Sequence, residues 1–249
     1  MQVSDLYYKK YLKYKNKYLN LQNQIGRGGP ITVLPNFTLK LPPSSSQQSV
    51  LPLTITHINK KFSDSEFLKL VSSLKNITNV QNLILNIIGI TEARVKQLVE
   101  FLVNCYQLRT LNLSNNPLNN NGATTIANIL NKLSMLTTLE LSKCGIKDDG
   151  GKAIANALLT NKSLTTLNIE FNPISDDVFI AFAEVLKLNQ IITHLNISKS
   201  YPISNNAYRQ LANALDINST LKQLNITSIT PVNADDKNLF NKFGDRVLM

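Results

Sequence analysis

The chain has 249 residues, of which 43% are apolar and 17% charged: enough apolar material for a sizeable core, and too little charge for a coiled coil or disordered tail. Its net charge of +10 is uneven, because residues 1–30 hold Lys9, Lys10, Lys13, Lys15, Lys17 and Arg27 against Asp5 alone, while the body is nearly balanced. A uniformly basic nucleic-acid-binding body is thereby excluded, and two cysteines, Cys105 and Cys144, suit a reducing compartment better than a disulfide framework.

The first segment, residues 6–21, reads LYYKKYLKYKNKYLNL. Tyr7, Tyr11, Tyr14, Tyr18 and Leu21 are spaced 4, 3, 4 and 3 apart, which predicts one stripe along a helix, with Lys9, Lys13 and Lys17 on the other faces. Gly26-Arg27-Gly28-Gly29-Pro30 ends it, so residues 1–29 form a leader helix. Residues 30–49, with Pro35, Pro42, Pro43, Ser44, Ser45 and Ser46, read as a linker. The leader lacks the apolar run of a secretory signal, and no stretch of about 18 apolar residues could span a membrane. It resembles a Tyr/Lys motif followed by Gly that opens many otherwise unrelated proteins of mimivirus-type giant DNA viruses. That resemblance implies an address or docking tag, and a home in the host cytoplasm or the virion. Such a helix has three modes of contact: an anionic membrane surface, another helix, or nucleic acid. The plain alternative is a solvated, frayed leader.

From residue 50 onward the chain repeats itself. The template L-x-x-L-x-L-x-x-N-x-L fits Leu108, Leu111, Leu113, Asn116 and Leu118. A shift of 28 gives Leu136, Leu139, Leu141, Cys144 and Ile146, and another gives Leu164, Leu167, Ile169, Asn172 and Ile174. Repeat starts near 50, 80, 108, 136, 164, 192 and 221 define seven units over residues 50–249. In each, L-x-L alternates as a strand with one buried face, and the Asn position marks a turn whose amide can pair backbone groups. A helix follows: Ile126, Ala127 and Leu130 share one apolar face, repeated as Phe182, Ala183 and Leu186, then Leu211, Ala212 and Leu215. Leu239, Phe240 and Phe243 suit a capping helix over residues 233–243, within a C-terminal cap of 233–249.

These units resemble the ribonuclease-inhibitor-like subfamily of leucine-rich repeats, including its alternation of repeat types in Asn116, Cys144, Asn172 and Ser200. The resemblance implies an α/β fold, a right-handed horseshoe with a parallel sheet inside and helices outside. The outer units depart from it, with Ile58, Ile88 and Ile229 at the Asn position.

Titratable groups do not converge. His57 and His194 are nearly five repeats apart, and neither has a Cys or a second His at metal-ligand spacing. Cys144 holds a turn position and reads as a structural thiol. Gly150-Gly151-Lys152 fails as a phosphate loop, since Ala153 stands where Ser or Thr is needed. No enzyme, cofactor or metal is predicted. Most of the exposed strand positions, which run from Asn82 and Ile84 through Asn112, Ser114, Asn168 and Ser198 to Asn225, are small, polar and uncharged. Phe171 is the exception and a candidate anchor, with Glu140, Lys143, Glu170, His194, Lys199 and Tyr201 around it. The sequence therefore predicts a non-enzymatic module binding a protein on its inner face. GTPase activation, attachment through the leader and a structural virion role are the alternatives.

Overall fold

The computed structural model describes residues 53–58, 61–74, 80–227 and 234–249. The expected leader helix and linker, with Tyr7, Tyr11, Tyr14, Tyr18, Lys9, Lys13 and Lys17, lie outside these residues, as does Ile229.

Seven strands head the repeats: β1 Leu53–Ile58, β2 Val80–Asn86, β3 Thr110–Asn112, β4 Thr138–Glu140, β5 Thr166–Asn168, β6 His194–Asn196 and β7 Gln223–Asn225. The helices α1 Asp64–Leu74, α2 Glu92–Asn104, α3 Asn119–Ile129, α4 Asp148–Ala157, α5 Asp176–Leu188 and α6 Asn205–Ile217 alternate with the first seven strands. All strands join one sheet in chain order, each pair parallel. The register holds Leu83, Leu111, Leu139, Leu167, Leu195 and Leu224 in one row, buried against the helices. Strands sit about 4.8 Å apart, whereas packed helices need about 8–10 Å, so the array curves with the sheet inside. Helix crowding is relieved at Gly150, where a Cβ would lie 3.0 Å from both Ala123 Cβ and Asn120 Cα. At Gly151 a Cβ would lie 2.8 Å from Val178 Cγ2, so close packing explains both glycines of the pair.

Two rows of buried amides stitch the units together. Asn116 Oδ1 accepts from the N–H groups of Ile88, Gly89 and Ile90 in the preceding unit, and its Nδ2 donates to Leu85 and Leu113 carbonyls. Asn172 does the same for Cys144 and Ile146. Cys144 donates its thiol to the Leu113 carbonyl at 3.4 Å, and burial pushes that thiol up to about 12. A second row stands where each helix returns to a strand: Asn161, Asn189 and Asn218. Each accepts from two following N–H groups, as Asn189 does from Ile191 and Ile192, and donates to a carbonyl of the preceding unit, here Leu158.

The C-terminal cap differs from the expected helix. Residues Ala234–Arg246 form 3₁₀ turns broken at Gly244, and Val247–Leu248 then adds an eighth parallel strand, β8, beside β7. Arg246 supplies the reason. Its guanidinium donates to the carbonyls of Leu215, Asn218 and Leu221, the first two being groups that a further asparagine of the second row would otherwise meet.

Candidate protein-binding face

On the inner side of the sheet the parallel register aligns side chains in lanes. One lane runs Asn82, Thr110, Thr138, Thr166, His194 and Gln223, and the next runs Ile84, Asn112, Glu140, Asn168, Asn196 and Asn225. The central strands are only three residues long, ending at Asn112, Glu140, Asn168 and Asn196. Beyond them the chain turns through Ile87, Asn115, Lys143, Phe171 and Lys199, which all have a φ between 53° and 58°. Of these five, asparagine alone tolerates the left-handed region well, so the conformation is imposed by the neighbouring units rather than by the residues.

This shortening corrects the expected surface. Ser114 and Ser198, expected to be exposed, are buried where the chain turns away, and Ile84 and Asn225 are buried near the ends of the array. Lys143, Phe171 and Lys199 lie in the turns along the rim rather than on the strands.

Phe171 is 41% exposed, yet both its neighbours along the rim engage it: Lys143 Nζ stands 4.6 Å and Lys199 Nζ 4.3 Å from the ring centroid. Cation–π attraction thus fixes the ring in place with part of its surface open. His194 is exposed, with Nδ1 2.8 Å from Thr193 Oγ1. Tyr201 is 57% exposed, and its backbone N–H donates to Ile174. Neither joins the Phe171 stack. The structure therefore brings Lys143, Phe171 and Lys199 together, brings Glu140 and Glu170 together, and leaves His194 and Tyr201 apart.

Glu140 lies half-buried in β4, where Asn168 Nδ2 donates to its Oε2 at 2.8 Å. Burial, opposed by that hydrogen bond and reinforced by the charge of Glu170, pushes its carboxyl up to about 7. Asn168 also accepts the backbone N–H of Glu170 on its Oδ1 at 3.0 Å, so one amide holds the Glu140 carboxylate and the turn at Glu170. Ser198 Oγ lies 3.3 Å from Glu170 Oε2 but 2.7 Å from Asn196 Oδ1, and its single hydrogen serves the nearer acceptor. Asn168 was visible in the sequence as an exposed lane residue; its bracing role was not.

Among the described residues, no three His, Cys, Asp or Glu side chains gather as metal ligands would. No helix among them is long and apolar enough to cross a membrane.

The family described as Leucine Rich repeat matches residues 107–127, 132–155 and 160–178. Among solved structures, that of Leiomodin-1 Actin-Binding Site 2 aligns at 22% identity over 62% of this chain and 86% of that chain, with a TM-score of 0.51. A tropomodulin C-terminal domain from Caenorhabditis elegans aligns at 13% identity over 74% of this chain and 93% of that chain, with a TM-score of 0.44. No curated protein matches the sequence. The fold is a leucine-rich-repeat α/β solenoid with seven repeat strands in one parallel sheet.

Proposed function

We propose that this solenoid is a non-enzymatic module that binds a protein on the inner face and rim of its middle repeats. The observation that carries the reading is the Lys143–Phe171–Lys199 stack, a partly exposed aromatic ring fixed between two cations beside Glu170. A pre-ordered aromatic anchor loses little side-chain entropy on binding, which is the property of interface hot spots. Glu140, Glu170, His194 and Tyr201 supply polar contacts around it.

The finer assignment to the ribonuclease-inhibitor-like subfamily draws support from the 28-residue register and from the alternation of Asn116, Cys144 and Asn172. Two buried cysteines, Cys105 and Cys144, support an intracellular setting. We assign residues 1–29, a leader of giant-virus type, and residues 30–49 to delivery rather than recognition. The leiomodin structure is that of an actin-binding site, which makes actin one protein to look for among the crosslinked adducts.

A photo-crosslinking amino acid placed at Thr138 on the inner face, and separately at the exposed outer residue Asn156, tests the reading in cells that express the protein. Adducts from position 138 and not 156, abolished by replacing Phe171 and Glu140 together with alanine, are expected. A partner that stays fully bound after that double replacement would disprove the placement.

A further inference from the structure

The sheet is finished at one end and open at the other. At its C-terminal end the order closes with β8, a strand of only two residues. At its N-terminal end stands β1, six residues long, which pairs along one edge with β2. Among the described residues no strand pairs with its other edge. β1 also lacks the devices that blunt an edge, having no Lys, Arg, Asp, Glu or Pro in LTITHI. The row of N–H and C=O groups along such a strand is a template for a further strand.

The sequence before β1 contains a segment that suits that edge. The tetrapeptide Thr-Leu-x-Leu/Ile occurs four times in the chain. Three copies, at 110, 138 and 166, open β3, β4 and β5, with Thr in an inner lane and Leu in the buried row. The fourth is Thr38-Leu39-Lys40-Leu41, preceded by Phe37 and followed by Pro42 and Pro43, which have no N–H to pair. The likeness is confined to the strand. Asn36 stands where the repeat has Leu108, and residues 42–52 are too few for the loops and helix that join the other repeat strands. Residues 37–41 lie outside the described residues; the shared tetrapeptide and the open edge are what connect them.

We propose that residues 37–41 pair with the open edge of β1 as a further parallel strand, Thr38 beside Thr54. That register extends the lane of Thr54, Asn82 and Thr110 by Thr38, and the row of Ile55, Leu83 and Leu111 by Leu39. The eleven residues 42–52 reach up to about 36 Å when extended. A return along five strand residues needs about 17 Å and the step to the next strand about 4.8 Å, so a parallel connection closes without a helix. A segment on so short a tether faces the edge at roughly millimolar effective concentration, which favours it over a second copy of the chain. The pairing holds residues 1–29 to the end of the sheet by residues 30–36, a tether of at most about 25 Å. This accords with a delivery role for that segment and is independent of where a partner binds.

Disulfide trapping in the full-length chain tests the pairing. Thr38→Cys with Thr54→Cys is expected to form a bridge within one chain, found by mass spectrometry of the oxidised monomer. Thr38→Cys with His57→Cys, about 10 Å apart in this register, is not. Hydrogen exchange followed by NMR is the second measurement. In a parallel strand alternate N–H groups face opposite neighbours, so the pairing slows every amide of residues 54–58. The double variant Thr38→Pro, Leu39→Pro is expected to speed every second one by at least about tenfold, while β3 to β5 keep their protection and show that the chain is folded. Alternate amides of β1 that exchange in the unaltered chain as fast as unpaired ones would overturn the proposal. So would protection that the two prolines leave unchanged. A bridge at position 57 in preference to 54 would overturn the parallel register, and a bridge found only in dimers would give the edge to a second copy.

Discussion

Asn168 Nδ2 donates to Glu140 Oε2 at 2.8 Å across the β4–β5 pair, and among the described residues this is the one hydrogen bond that carboxylate receives. The Asn168 Oδ1 is meanwhile committed to the Glu170 N–H. One neutral amide cannot compensate a half-buried charge, which is why Glu140 holds its proton up to about pH 7.

Glu140→Asn is therefore expected to stabilise the protein at pH 8. The sign follows from linkage: a carboxyl whose folded pKa is raised binds more protons folded than unfolded, so its contribution falls as pH rises from about 4.5 to about 7. The gain at pH 8 is roughly 1–2 kcal/mol, below the full value of the shift because the side chain is half-exposed, and it fades toward pH 4.5. Urea denaturation of both proteins between pH 5 and pH 8 measures the difference. A constant difference across that range would contradict the assignment.

Phe171→Asn separates anchoring from folding. It relieves a phenylalanine held at a φ of 55°, but it forfeits the contacts with Lys143 and Lys199. These effects oppose each other at about 1 kcal/mol apiece, so the unfolding midpoint should move little while partner binding is lost. A large drop in stability would make Phe171 a structural residue.

Asn189→Ala is expected to cost roughly 3 kcal/mol, because it strands the Ile191 and Ile192 N–H groups and the Leu158 carbonyl at a buried joint. Asn128→Ala, on the exposed side of α3, is the control and should be neutral within about 0.5 kcal/mol. Equal midpoints for the two variants would remove the second amide row from the account of stability.

Arg246→Ala should act locally. With the Leu215, Asn218 and Leu221 carbonyls unpaired, amide exchange is expected to accelerate in α6 and β7 while β3 to β5 keep their protection. Uniform acceleration along the chain would show that the end is not an independent unit.

Cys105 and Cys144 are each pushed up to about 12 by burial, so neither is a thiolate at neutral pH. Reaction with an aromatic disulfide reagent should stay slow at pH 8 and rise together with urea unfolding. Fast labelling of either thiol in the native protein would contradict the buried positions.

The repeat was legible because its buried positions are spelled in one residue class. Leu111, Leu139, Leu167 and Leu195 recur at 28 residues and occupy the predicted row. The first amide row was also readable, since Asn116 and Asn172 stand out among leucines. The second row does not stand out in the sequence, although Asn161, Asn189 and Asn218 each precede a repeat start by three residues. Asparagine is so common in this chain that its buried members do not stand apart from the solvated ones. The extent of the inner face was overestimated for a different reason. The alternation in the sequence continues past Asn112, Glu140, Asn168 and Asn196, where the strands end, and nothing in Lys143, Phe171 or Lys199 announces a left-handed backbone. That conformation belongs to the stacked array, where Lys143 N–H meets the Glu170 carbonyl and Phe171 N–H the Ser198 carbonyl of the next unit.

The amides that reach into the preceding unit also dictate how the protein yields to tension. Asn116 completes the turn at 88–90 and Asn218 completes the helix end at Leu186, so a unit that is pulled away takes its neighbour's hydrogen bonds with it. Drawn from its C-terminus, the solenoid should give way first at Arg246 and then peel in order, each 28-residue step lengthening the tether by about 95 Å. In an optical trap such a chain would behave as a ratchet of equal teeth, paying out length at nearly constant force.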